Sequence, residues 1–187
     1  HRIDKNTSGL MVMAKTQKAM SDLAKQFFDH SVHRRYVALV WGNFDEDEGT
    51  VVAHVGRHQR FRKLFTAYPD GDFGKDAITH YEVLERFGYL TLIRCQLETG
   101  RTHQIRIHLG EAGTPLCGET IYDRPLHGAP VPDASGAPRI ALHARDLEIN
   151  HPSDGKRMAW KSPWPQDLHR LATYLARQAH VTLAEEN

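Results

Sequence analysis

Short apolar runs of strand length constrain the fold of this chain more than any other feature of its sequence. Residues 36–41, 90–97 and 142–149 are rich in aliphatic side chains, and polar or turn-forming residues flank each run. Runs of this length are typical of buried β-strands and are short for buried helices. We therefore predict a central β-sheet.

Further strand patterns lie between these runs. Residues 10–14 (LMVMA) are apolar throughout and predict a buried strand, and residues 77–85 are predicted to form a hairpin with 90–97 around Gly88. A stretch rich in Pro, Gly and Ala predicts an exposed loop over residues 125–138. We also predict strands over residues 50–54, 63–67 and 157–160.

Helical spacing of apolar residues occurs in two segments. Thr16 is a candidate N-cap for a helix that extends to about Phe28, and the residues around Leu168–Leu175 predict a terminal amphipathic helix. A short helix between them is predicted to start near Thr102 and to end at Gly113. The expected fold class is α+β: one domain over residues 1–187, with a mixed, largely antiparallel central sheet and flanking helices.

Composition is ordinary for a globular protein that works in water. The formal net charge is +1, and no apolar run is long enough to cross a membrane. Cys95 and Cys117 have no redox or metal spacing, and the first residues do not resemble a signal peptide. We expect a cytoplasmic protein with no membrane partner.

Cationic residues are clustered even though the net charge is small. Arg60 and Arg62 belong to a group with Arg57 and Lys63 in which an aromatic residue, Phe61, is interleaved. Such a pattern can follow RNA phosphates while the ring stacks on a base, and its alternative interpretation is an ordinary solvated loop. A second cluster contains Arg34 and Arg35 beside Tyr36.

A single carboxylate, that of Asp4, lies among cations at the start of the chain. The segment HRIDKNTSG places Asp4 between Arg2 and Lys5, just before the predicted strand. Neighbouring cations and backbone N–H groups favour an ionised carboxylate, which can attack a sugar carbon. From these residues alone, a simple turn formed by Asp4 and Thr7 is the favoured interpretation.

The segment TGRTHQIRIH, residues 99–108, is the second candidate for chemistry. In the predicted helix, Arg106 can reach a carboxylate with two N–H groups, and Arg101 lies near helix N–H groups that favour an anion. Metal binding is an alternative, because His103 and His108 are followed by further histidines. Their spacing of five residues is unfavourable for one helix face, so we predict no metal site.

Taken together, these motifs closely resemble the RluA family of pseudouridine synthases. The resemblance runs in family order from residue 1 to about residue 163. It is carried by residues 1–10 (HRIDKNTSGL), 35–42 (RYVALVWG), 100–108 (GRTHQIRIH), 113–119 (GTPLCGE) with Tyr122, 141–144 (ALHA) and 151–152 (HP).

The resemblance implies a role for each matching position. Asp4 matches the catalytic aspartate, Tyr36 the tyrosine that packs on the target base, and Arg106 the arginine paired with the aspartate. Arg2 matches an arginine that helps to hold the RNA, and Leu142 an aliphatic residue against the base. Arg101 and His103 are expected to contact RNA or to support the site.

The implied activity is the isomerisation of specific uridines in RNA without a cofactor. The resemblance favours large-subunit ribosomal RNA as the substrate, with transfer RNA as the alternative, and we expect a monomer. A non-catalytic RNA-binding module that kept the fold is the alternative from another class of protein. Because the family carries a Lys-Pro-containing motif upstream of the Asp4 motif, we expect this to be an N-terminally incomplete catalytic domain.

Overall fold

The computed structural model describes residues 1–180 and contains nine strands and three helices in that range. In chain order these are β1 (Ser8–Gly9), α1 (Gln17–Phe28), β2 (His33–Trp41), β3 (Glu48–Val52), β4 (His54–Arg57), β5 (Phe65–Tyr68), β6 (Ile78–Arg86), β7 (Leu90–Leu97), α2 (Gln104–Glu111), β8 (Leu142–Asn150), β9 (Arg157–Lys161) and α3 (Gln166–Gln178).

Seven strands form one mixed sheet, and its pairing confirms the predicted fold class. The order is β1-β8-β2-β7-β6-β3, with β9 also paired to β8. Every pair is antiparallel except β1 with β8. The strands β4 and β5 form a separate two-stranded hairpin.

The central strand β2 is buried on both faces, which explains its unbroken apolar sequence. Val37 through Val40 are at most 1% exposed. Ala38 and Val40 pack in a cluster with Ile105 and Leu109 of α2, whereas Val37 and Leu39 pack in a second cluster with Leu168 and Leu171 of α3. The sheet thus separates two apolar layers, one beneath α2 and one beneath α3.

The prediction of a buried strand over residues 10–14 is wrong. Pairing with β8 ends at Leu10, whose N–H donates to the Ala144 carbonyl at 2.9 Å. From Asp146 onwards the same edge of β8 is occupied by β9, so the residues after Leu10 have no ladder partner. Along residues 10–14 the side chains alternate between half-buried and exposed, and Met11 and Met13 are the exposed ones.

The helix predictions are confirmed except for one cap. The Thr16 hydroxyl accepts a hydrogen bond from the N–H of Ala19 at 3.1 Å and caps α1. The N-cap of α2 is His103 in the left-handed region (φ 56°), not Thr102. Gly113 follows the end of α2 with a φ of +77°, a conformation that favours glycine.

Two strand predictions and the loop prediction need adjustment. The predicted strand 50–54 is divided between β3 and β4, and the predicted strand 63–67 begins two residues later as β5. Residues 125–138 contain no helix or strand and are mostly exposed, but Ser135 is buried and Asp133 accepts a hydrogen bond from the Trp41 indole at 3.0 Å. Among the helices of residues 1–180, none is long and apolar enough to span a membrane.

Candidate active site

Asp4 lies in a turn that leads directly into β1. The Thr7 N–H donates to the Asp4 carbonyl at 3.0 Å, and the next two residues pair in parallel with β8. Gly9 is required at this junction, because a Cβ would lie 2.1 Å from the Ala144 carbonyl oxygen and its φ is +112°. The close approach of β1 to β8 therefore fixes the position of the Asp4 turn.

Arg139 also clamps this turn. Its guanidinium donates to the Asn6 carbonyl at 3.0 Å and to the Ser8 hydroxyl at 2.9 Å. The same side chain is paired with Asp167, in the first turn of α3, at 2.9 Å. The Asp4 turn is thus anchored to the C-terminal helix through one arginine.

Arg106 projects from the first turns of α2 and is held by a buried carboxylate that the motifs did not indicate. Its Nε and Nη2 donate to the two oxygens of Glu119 at 2.8 and 2.7 Å. The Glu119 side chain is 1% exposed, and it also accepts N–H groups from Thr120 and Ile121. This bidentate pair fixes the plane of the guanidinium.

The remaining nitrogen of Arg106, Nη1, points towards Asp4. It lies 3.9 Å from the Asp4 Oδ2, so the predicted ion pair is present but is looser than the pair with Glu119. Burial opposes the charge of Arg106, but hydrogen bonds to Glu119 and the charges of both carboxylates outweigh it and raise the Arg106 pKa. Arg106 is therefore a permanent cation beside a carboxylate that is 22% exposed.

Tyr122 and His103 form the next layer around the arginine. The Arg106 guanidinium lies 5.1 Å from the centre of the Tyr122 ring, a cation–π distance, and the Tyr122 hydroxyl shares a hydrogen bond of 2.7 Å with the His103 ring. Burial lowers the pKa of His103 and raises that of Tyr122. Both groups are therefore neutral at pH 7.

Tyr36 and Leu142 lie side by side in the apolar layer beneath α2. Both are less than a tenth exposed, and Ile3 packs against the same cluster. Burial raises the pKa of Tyr36, Arg34 opposes that shift, and Asp4 adds to it. The phenol is therefore protonated at neutral pH.

An open cleft of about 1020 Å³ runs beside Asp4. Arg2, Arg101 and His103 line this cleft. The Arg101 side chain also donates to the Asp76 carbonyl at 2.8 Å, which holds it at the cleft wall.

Arg60 and Arg62 are not among the residues that line this cleft. Both are exposed at the tip of the β4–β5 hairpin, where the Arg60 guanidinium lies 5.4 Å from the centre of the Phe61 ring. The end of the hairpin next to its loop reaches the site, because Phe65, which pairs with Arg57, packs edge-on against His103 at 6.1 Å. The cationic loop at residues 58–64 therefore begins beside the site.

The histidines that suggested a metal site have separate partners. His108 bonds to Thr79 and to the Ala53 carbonyl in the core, and His143 bonds to Ser8 and to the Ser162 carbonyl. Within residues 1–180, no three His, Cys, Asp or Glu side chains are grouped closely enough to hold a metal ion.

Sequence reasoning identified the catalytic candidates and missed two supporting residues. Glu119 belongs to the motif at residues 113–119, which does not indicate its pairing with Arg106, and no sequence pattern points to Arg139. One signal could have indicated Glu119. Its carboxylate directly follows the mostly apolar residues 115–118, and a charge buried there is unfavourable without a partner.

Comparison with known proteins confirms the resemblance seen in the motifs. A family model described as RNA pseudouridylate synthase matches residues 1–111. The chain is 44% identical to the ribosomal large subunit pseudouridine synthase D of Nitrosomonas europaea, over 98% of this chain and 53% of that protein. It is 45% identical to the protein of the same name from Pseudomonas aeruginosa, over 97% of this chain and 58% of that protein. The chain thus spans about half the length of the curated relatives it matches.

Solved structures agree in fold. Human RNA Pseudouridylate Synthase Domain Containing 4 superposes with a TM-score of 0.74 at 22% identity, over 95% of this chain and 74% of that one. Human RNA Pseudouridylate Synthase Domain Containing 1 superposes with a TM-score of 0.72 at 24% identity, over 94% of this chain and 78% of that one. With the motifs, the family match and the shared fold in agreement, the chain belongs to the RNA pseudouridylate synthase family.

Proposed function

We propose that this chain isomerises uridine to pseudouridine in RNA, with Asp4 as the catalytic residue. The observation that carries the proposal is the Asp4 carboxylate at the wall of a cleft, 3.9 Å from a guanidinium that Glu119 holds in one orientation. A fixed cation beside a partly exposed carboxylate directs that carboxylate at one point of a bound nucleotide. Membership of the family supports the same assignment.

The reaction breaks the bond between N1 of uracil and C1′ of the ribose, turns the base, and joins C5 to C1′; the proton on C5 is released to solvent, and N1 takes up a proton. It needs no redox partner and no group from outside, so no cofactor is part of the proposal. Asp4 has two routes open to it, attack on C1′ or removal of a sugar proton. The target uridine must first leave its stack, which costs a few kcal/mol. By the family resemblance, Tyr36 and Leu142 are the residues that we assign to packing on the detached uracil; in the chain without RNA both are less than a tenth exposed.

Large-subunit ribosomal RNA is the substrate that we favour. The relatives from two bacteria carry this target in their names, and transfer RNA is the alternative. We also expect a monomer in the cytoplasm, where such RNA is made. Mapping pseudouridines in the RNA of cells with and without this gene tests the substrate, because a site lost from transfer RNA alone would contradict the ribosomal assignment.

Tritium release from RNA labelled at C5 of uridine tests the activity itself. We expect Asp4→Asn to keep the fold and RNA binding while abolishing turnover, because the amide resembles the carboxylate in shape but is no anionic nucleophile. Asp45→Asn, at an exposed position, is the matched control and is expected to behave as the parent.

Two results would contradict the proposal. Activity of Asp4→Asn within tenfold of the parent corresponds to only about 1.4 kcal/mol of barrier, too little for a catalytic group. RNA binding by the parent without any tritium release would instead indicate a non-catalytic RNA-binding module.

A further inference from the structure

The guanidinium of Arg34 is buried, and none of the hydrogen bonds or ion pairs described above for the active site involves it. It belongs to β2, two residues before Tyr36 and on the same face of the strand, and it lines the cleft beside Asp4. Only 9% of the residue is exposed. In the sequence Arg34 and Arg35 form one cationic cluster, but strand alternation separates them, because Arg35 lies on the other face and contacts Gln96 and Glu148.

Among residues 1–180, no carboxylate is paired with Arg34 and its buried Nε has no hydrogen-bond partner. The guanidinium lies 5.1 Å from the centre of the Phe27 ring. A cation over a phenyl ring recovers only part of the hydration that burial removes. Consistent with this, burial lowers the pKa of Arg34. The arrangement is unfavourable for the protein alone.

The backbone beside Arg34 leaves space for the guanidinium. A Cβ on Gly100 would lie 2.5 Å from the Arg34 Nη1, so any other residue there would displace the arginine. Gly100 also lines the cleft, which places the guanidinium at its wall and not deep in the core.

The charge of the cleft favours an anionic ligand. More cationic side chains than carboxylates line the cleft. The carboxylates are those of Asp4 and Glu98, and the cations are those of Arg2, Lys5, Arg34, Lys75 and Arg101. Glu98 is directed to His80, with its Oε1 2.5 Å from the ring nitrogen. A phosphodiester supplies the acceptor oxygens that Arg34 lacks, and guanidinium groups bind phosphate well.

We propose that Arg34 binds a phosphate of the RNA strand next to the nucleotide that enters the cleft at Asp4. The inference rests on the proposed function, since it takes RNA to be the ligand. It adds an anchor that holds the strand at the cleft wall, separate from the pair of Asp4 and Arg106 that acts on the nucleotide.

The test compares Arg34→Met, Arg34→Lys and Arg35→Met with the parent. Binding of a labelled, single-stranded, uridine-rich RNA is measured by fluorescence anisotropy over a series of salt concentrations, and thermal melts are recorded without RNA. For Arg34→Met we expect weaker binding and a dependence of log K on log salt that is less steep by about 0.7, the value for one lost phosphate contact on a single strand. Arg34→Lys is expected to keep the parental slope, and Arg35→Met to keep both slope and affinity.

The melting temperature separates a ligand site from a structural role. Because a buried charge without a partner opposes folding, we expect Arg34→Met to melt at or above the parent. An unchanged salt slope in Arg34→Met, or a melting temperature well below that of the parent, would overturn the proposal. Tritium release by the parent is measured in parallel and reports on the proposed function separately, so either idea can fail without the other.

Discussion

Glu119→Gln is the most informative change at the site, because it alters one atom of the bidentate pair and leaves the shape intact. In the parent, both carboxylate oxygens accept from Arg106 at 2.8 and 2.7 Å. The amide keeps one acceptor and turns an NH₂ group towards a guanidinium that can only donate. Arg106 then has Asp4, at 3.9 Å, as its remaining carboxylate.

The expected loss of folding free energy in Glu119→Gln follows from the burial of the Arg106–Glu119 ion pair. Removing one partner of a buried ion pair costs about 3–5 kcal/mol, and we expect about 3 kcal/mol because Asp4 remains nearby. For a chain of this length that corresponds to a fall in melting temperature of about 6–12 °C. Turnover is expected to fall by about 10- to 100-fold, since Arg106 can now turn away from Asp4. Glu46→Gln, at an exposed position, is the control.

The pH dependence of stability provides an independent measurement. Burial opposes the charge of Glu119, but Arg106 outweighs it and lowers the Glu119 pKa below its usual value of 4.5. The stability that Glu119 contributes is therefore complete above about pH 4.5 and is lost as the pH falls through the lowered value. Glu119→Gln is expected to remove this contribution, so the melting temperatures of parent and variant are expected to converge at acidic pH. Equal melting temperatures and equal single-turnover rates at pH 7 would refute the positioning role of Glu119.

Three further changes test the rest of the site. Arg106→Lys is expected to lower single-turnover rates more than tenfold, because an ammonium keeps the charge but not the planar pair; a parental rate would show that charge alone suffices. Replacing Arg60 and Arg62 by Gln is expected to lower the salt slope of RNA binding by about 0.7 for each lost phosphate contact, with little change of turnover at saturating RNA; an unchanged slope would identify a solvated loop. Arg139→Met is expected to destabilise the fold by about 1.5–3 kcal/mol and to slow turnover by loosening the Asp4 turn, and chemical denaturation with a parental midpoint would contradict this.

Much of the sheet could be predicted because its patterns are local. The run Leu90–Leu97 and its hairpin partner around Gly88 carry turn and strand signals within twenty residues. The cap of α1 by Thr16 is equally local, because donor and acceptor are three residues apart. Motif order then predicted that Asp4, Tyr36 and Arg106 share one site, and the Arg106 Nη1 lies 3.9 Å from the Asp4 Oδ2.

The predictions that were wrong or incomplete concern features that depend on residues distant in the sequence. The segment after Leu10 has the composition of a strand, but β9 occupies the edge of β8 that it would need. Arg106 was expected to pair mainly with Asp4, whereas its strongest partner is Glu119, which lies outside any helix or strand and carries no periodic signal. The two arginines before Tyr36 look equivalent until strand alternation assigns them to opposite faces.

The clamp formed by Arg139 has a consequence for the order in which the protein is made. It ties the Asn6 carbonyl, near the first residue described, to Asp167 in the last helix. Translation proceeds from the N-terminal towards the C-terminal end, so the Asp4 turn leaves the ribosome some 160 residues before helix α3. Until α3 has emerged and docked, the turn that carries Asp4 lacks its anchor. The Asp4 carboxylate is therefore synthesised well before the helix that anchors its turn, so a growing chain cannot fix this turn until α3 has been translated.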